Sequence, residues 1–145
     1  MNNDVKQQVL EFMQKRFLCV ISTVGKNSKP ESAMVAYVSS DKFELIIGTS
    51  NLSRKYQNIL QNNSVAVVIA DTTGEVQYEG EAEILTSADY ELLLAAGQVQ
   101  KLAGFDKYRS DPAQVYLRLT PTWIRFIVHG PSGEDADQIT ELTEF

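Results

Sequence analysis

The apolar positions change period along the chain. Val5, Val9, Leu10, Phe12 and Met13 form a helical stripe, with Asp4 the expected N-cap and Lys15 and Arg16 suited to the C-terminal end. From Phe17 the pattern turns apolar and β-branched, and the run 17–24 stops at Gly25. A second strand is expected over 31–39, and Asn27-Ser28 between the two is turn chemistry, so they read as a hairpin. Ser40-Asp41-Lys42 makes a second turn before a third strand at 43–47, ending at Gly48-Thr49. A short helix is expected over 53–62, capped by Ser53 or Ser50 and stopped by Asn62-Asn63.

The run 65–70 is continuous and apolar, which predicts a strand buried on both faces or nearly so. Asp71-Thr72-Thr73-Gly74 is a turn, and 75–85 alternates with Val76, Tyr78, Gly80, Ala82 and Ile84 on one side. Ser87 is the expected cap of a helix reaching about Leu102, weakened by Gly97. The last long strand is 116–128, with Pro121 marking an edge or a bend. From Gly130 the chain is acidic and punctuated by Gly, Pro and Ser, so it is expected to fray or pack on a partner. The sum is mainly β (α+β): six antiparallel strands with flanking helices, which a small split barrel would close without exposed edges.

Composition narrows the class. The 145 residues are 43% hydrophobic and 22% charged, the profile of a single globular domain over 1–145. The net charge of −6 argues against a nucleic-acid or acidic-membrane surface. No apolar run approaches the ~20 residues that span a bilayer. Met1-Asn2-Asn3-Asp4 does not resemble a secretory signal, and one cysteine permits no internal disulfide, so a cytoplasmic location is expected. Cys19 sits in an apolar run and reads as core. No histidine or cysteine cluster suggests zinc, and His129, the one histidine, follows a strand. No Gly-x-Ser-x-Gly setting supports a hydrolase.

The chemistry concentrates in Gly48-Thr49-Ser50-Asn51-Leu52-Ser53-Arg54-Lys55. A strand ends, a polar turn follows, and a helix opens with two cations, where the helix end is already partly positive. An anion would relieve that conflict. The free amides, the hydroxyls of Thr49 and Ser53, the fork of Arg54 and the charge of Lys55 would converge on it. A solvated basic pair beside a capped helix is the equal alternative.

The order helix, hairpin, strand, Thr-x-x-x-Ser-Arg-Lys, helix, strand resembles the FMN-binding split-barrel family related to pyridoxamine 5′-phosphate oxidase. Thr49, Ser53, Arg54 and Lys55 match that family's phosphate-holding segment. Thr23-Val24-Gly25, Lys29-Pro30, Asn58, Asn62 and Trp123-Ile124-Arg125-Phe126 extend the likeness. The resemblance implies FMN, a homodimer with the flavin between subunits, and an oxidoreductase on a small molecule. It implies a cofactor set of Thr49, Ser50, Ser53, Arg54 and Lys55, the backbone of Met34, Val35 and Ala36 along the ring, and Gln77 and Trp123. Tyr37 or Tyr78 could stack nearby, with core packing the stronger reading. A haem-binding variant would point to His129.

The sequence also departs from the oxidase. Ala33 and Val38 stand where that enzyme has an arginine and a lysine gripping the phosphate. Glu75 falls at its glutamine, with Gln77 as a substitute, and its late Arg-x-His motif is missing. Pyridoxamine-phosphate oxidation is therefore not implied. A non-catalytic binder or sensor of flavin or another phosphorylated ligand is the alternative, and a barrel without a cofactor the third reading.

Overall fold

Hairpin turns and alternating burial shape the architecture. The structure, a computed structural model, describes residues 3–130 and 137–145. Its elements are α1 (Asn3–Gln14), β1 (Leu18–Val24), β2 (Pro30–Ser39), β3 (Leu45–Ser50), α2 (Arg54–Gln61), β4 (Ser64–Asp71), β5 (Gly74–Leu85), α3 (Ser87–Ala95), α4 (Phe105–Tyr108), β6 (Gln114–Val128) and β7 (Gln138–Leu142). All strand pairings are antiparallel, in the order β3-β2-β1-β4-β5-β6-β7, and β3 also pairs with β6. Six strands thus close a barrel and a seventh adds outside it.

The β1–β2 hairpin turns at Asn27 and Ser28, both with positive φ, as the turn residues there suggest. Inside the barrel lie Ile21, Tyr37, Leu45, Ile47, Val67, Ile69, Val76, Tyr78, Leu117 and Ile124. α1 closes one end with Val9, Leu10, Phe12 and Met13. A second core forms outside the barrel wall, where Ile46, Leu85, Tyr90, Leu102, Phe105 and Tyr116 pack under α3 and α4. The Tyr90 and Tyr116 rings stack at 4.2 Å.

Several expectations shift. Asp4 lies in the first turn of α1 rather than before it, and α1 ends at Gln14, ahead of Lys15 and Arg16. The third strand starts later and runs on through Ser50, because Phe43 adopts positive φ in the preceding turn. Thr49 and Ser50 are therefore strand residues. β4 alternates instead of burying both faces, and Val68 is 41% exposed. Thr86, not Ser87, caps α3 through a reciprocal pair of bonds with Asp89. That helix ends at Ala95, and Gly97 follows with positive φ. Pro121 keeps to its expectation, sitting at the register shift between β5 and β6, in the stretch of β6 between the residues that pair with β3 and those that pair with β7. The tail does not fray throughout, because Gln138–Leu142 pairs with residues 124–128 of β6. Asp135 lies outside the described residues.

Candidate functional site

The 49–55 segment is shaped by its own hydroxyls. Ser53 caps α2, its Oγ accepting from the Tyr56 amide at 3.3 Å and donating to the Ser50 carbonyl at 2.8 Å. Thr49, buried in the strand, shares a 3.0 Å hydrogen bond with that same Ser53 hydroxyl. Ser50 Oγ accepts from the Leu52 amide. These side chains spend their bonds on building the turn, so their role is to fix it. The groups left to meet an anion are the first amides of α2, which have no helical carbonyl to bond, and the two cations that follow.

Those cations differ. Lys55 is half-buried, makes no ion pair among the described residues, and burial holds its pKa below the ordinary lysine value. Arg54 is 70% exposed, and its Nη1 donates to Glu31 Oε2 at 2.6 Å. Two cavities meet at Lys55. The larger, about 330 Å³, extends from Ala36, Gly48, Thr49 and Ser50 to Leu102, Phe105 and Tyr116. The smaller, about 80 Å³, lies among Thr23, Glu31, Ala33, Arg54 and Lys55. Gly48 lines the larger cavity and makes room for the Gln114 side chain, whose amide nitrogen would lie 2.8 Å from a Cβ there. The Tyr116 hydroxyl in that wall is sealed from solvent beside the Gln114 side chain, without a well-formed hydrogen bond among the described residues, and burial raises its pKa.

The structure groups Thr49, Ser50, Ser53, Arg54, Lys55 and Ala36 at this place. Met34 points outward, 71% exposed, and Val35 packs against the barrel core. Gln77 lies in a transverse row with Met34, Val20 and Val68, three strands from β2 or about 14 Å. Trp123 pairs with Glu79 on the same side, its ring 5.3 Å from the Arg125 guanidinium. One chain does not bring Gln77 or Trp123 to the cradle. Tyr37 and Tyr78 are core residues whose hydroxyls donate to the Met13 and Phe43 carbonyls. Arg125 is paired with Glu141 of the tail, and His129 sits 3.4 Å from Asp137. Burial pushes the Cys19 thiol up to about 12, which leaves it inert. No cluster of metal-ligating groups occurs among the described residues.

Sequence reasoning missed four contributors. Glu31 opens a strand and looks like any surface acid. Leu102 and Phe105 come from a segment read as helix or loop. Tyr116 reads only as the start of a strand, and its approach to Gly48 depends on the β3–β6 pairing that closes the barrel.

The matching family profile, described as pyridoxamine 5′-phosphate oxidase, covers residues 5–128. The chain belongs to the pyridoxamine 5′-phosphate oxidase family. Similar solved structures include General Stress Protein 26 from Bacillus anthracis, 22% identical with TM-score 0.70, covering 95% of this chain and 98% of that one. A pyridoxamine 5′-phosphate oxidase-related FMN-binding protein from Nostoc punctiforme is 15% identical with TM-score 0.59, covering 95% of each chain. A heme-binding protein from Mycobacterium smegmatis is 13% identical with TM-score 0.73, covering 97% of this chain and 59% of that one. At such identities the likeness carries the family's fold. No match to a curated protein was found.

Proposed function

We propose that this chain is an FMN-binding flavoprotein that acts as an oxidoreductase on a small molecule other than pyridoxamine phosphate. The observation that carries the reading is Lys55. A half-buried lysine without an acidic partner, at a helix N-terminus and at the junction of two cavities, is a cost to the fold that a bound phosphate removes. The larger cavity falls within the ordinary size range for ligand sites, and Gly48, Leu102 and Phe105 give it an apolar lining. When bound, the flavin supplies hydride and electron transfer. The chain's own residues bind its phosphate at 49–55, line it with Ala36 and Gly48, and exclude water with Leu102 and Phe105.

The reading includes a homodimer. Leu18, Val20, Met34 and Val68 expose an apolar band on the outer face of neighbouring strands, which a second copy would cover. Gln77 and Trp123 would then reach the flavin from the partner. A flavin held without turnover is the second reading. It is favoured by Ala33, which leaves the small cavity unfilled between Arg54 and Lys55, and by Val38, which packs against the outer core.

The test is a titration of the purified protein with FMN and with riboflavin, followed by absorbance and fluorescence. FMN binding tighter than riboflavin, lost in the double variant Arg54→Ala/Lys55→Ala with the melting temperature held, supports the phosphate site. Equal affinity for both flavins in the native chain refutes it. Turnover with NADH or NADPH then separates enzyme from binder.

A further inference from the structure

Four residues picked out by the sequence pattern, Thr23, Gly25, Arg54 and Asn58, converge on Glu31, which that pattern passed over. The Glu31 side chain is 15% exposed. Its Oε2 accepts from Arg54 Nη1 at 2.6 Å, and its Oε1 accepts from Asn58 Nδ2 at 2.8 Å. The same Asn58 amide donates to Thr23 Oγ1 at 3.0 Å. Gly25 leaves the necessary space, since a Cβ there would lie 2.7 Å from Glu31 Oε1. Glu31 lines the small cavity with Lys55 and an adjoining groove with Lys26 and Lys29. Both carboxylate oxygens are thus built into the cradle.

A fixed carboxylate in an anion site is a conflict of sign. Arg54 and Lys55 bring two positive charges and Glu31 cancels one, while the exposed Lys26 and Lys29 are screened by water. We propose that Glu31 is the specificity-determining residue of the cradle: it holds Arg54 in place and repels a doubly charged phosphate. The cradle then holds the doubly charged phosphate of FMN less tightly than its two cations alone would, and penalises a singly charged phosphoryl group less. The inference rests on the flavin reading above. Its physical basis is that a monoester carries close to two negative charges at neutral pH, and a diester phosphate only one. Phosphate on the free edge of the Arg54 guanidinium has Glu31 on the other edge.

Glu31→Gln keeps the size of the side chain and removes its charge, and Glu31→Ala removes the carboxylate altogether. Dissociation constants for FMN, riboflavin and FAD are measured on the full chain at one pH and salt, with a thermal melt of each variant. FMN is expected to bind about tenfold tighter to both variants, with riboflavin unchanged and FAD, whose phosphates are each singly charged, changed less. Unchanged or weaker FMN binding in folded variants overturns the role of Glu31 alone. A native chain that does not prefer FMN to riboflavin overturns the cradle, and this inference with it.

Discussion

Two cationic corners of the molecule are built in opposite ways. At the first, Arg16 is fully employed. Its Nε and Nη2 donate to Asp71 Oδ2 at 2.8 and 2.5 Å, Nη2 also reaches Thr73 Oγ1, and Nη1 donates to the Phe12 carbonyl. The guanidinium lies 3.5 Å from the Phe12 ring centroid. Asp71 in turn accepts from the Thr73 amide and hydroxyl. Each of its three guanidinium nitrogens has an acceptor, and the corner ties the end of α1 to the β4–β5 turn. At the second corner, among the described residues, Lys55 is half-buried with no acidic partner and Arg54 pairs with Glu31 alone. The first cation is satisfied within the fold, whereas the second corner is left short of partners, which is what the proposed ligand would supply.

The contrast can be broken by substitution. Lys55→Met replaces the lysine with an apolar chain of similar reach. It is expected to weaken FMN by about thirtyfold, near 2 kcal/mol for a lost charge-assisted bond, while the melting temperature holds or rises. A fall in melting temperature would place Lys55 among the structural cations. Arg16→Ala is expected to do the reverse, destabilising by about 1.5 kcal/mol in denaturant unfolding with flavin affinity unchanged.

Acid sharpens the same comparison. Bonds from Thr73, and then Arg16, hold the Asp71 pKa at about 2, below the ordinary aspartate value of 3.8. A depressed carboxylate contributes stability that is present above its unfolded pKa and lost as pH falls through the folded one. Native stability should therefore gain a loss between about pH 4 and pH 2 that Asp71→Asn abolishes, as read by unfolding across that range. The smallest effect is expected at Tyr116→Phe. Its hydroxyl makes no well-formed hydrogen bond among the described residues, so the unfolding free energy should fall by less than about 0.5 kcal/mol, or rise. A larger loss would show that the hydroxyl is bonded in solution.

Much of this fold could be read from local pattern. Alternation gave β5 its buried face, turn residues gave the β1–β2 hairpin, and Ser53 before two cations gave the start of α2. The misses share a cause, which is dependence on distant partners. The polar Gln138–Leu142 forms a strand because β6 offers it an edge. Val68 looks like core in sequence, yet the barrel turns it outward. The 49–55 turn was legible because its parts are contiguous. Glu31 and Tyr116 were not, since Glu31 owes its role to bonds from Arg54 and Asn58 of α2, and Tyr116 to the distant β3–β6 pairing.

That long sixth strand does two jobs along one edge. Its first residues, 114–119, pair with β3 and close the barrel, while 124–128 on the same side pair with β7. The short acidic tail strand thus acts as a cover strip over backbone that would otherwise be open to another chain. Lifting it would leave closure intact and bare a row of amides, so hydrogen exchange should quicken at 124–128 while 114–119 stays protected.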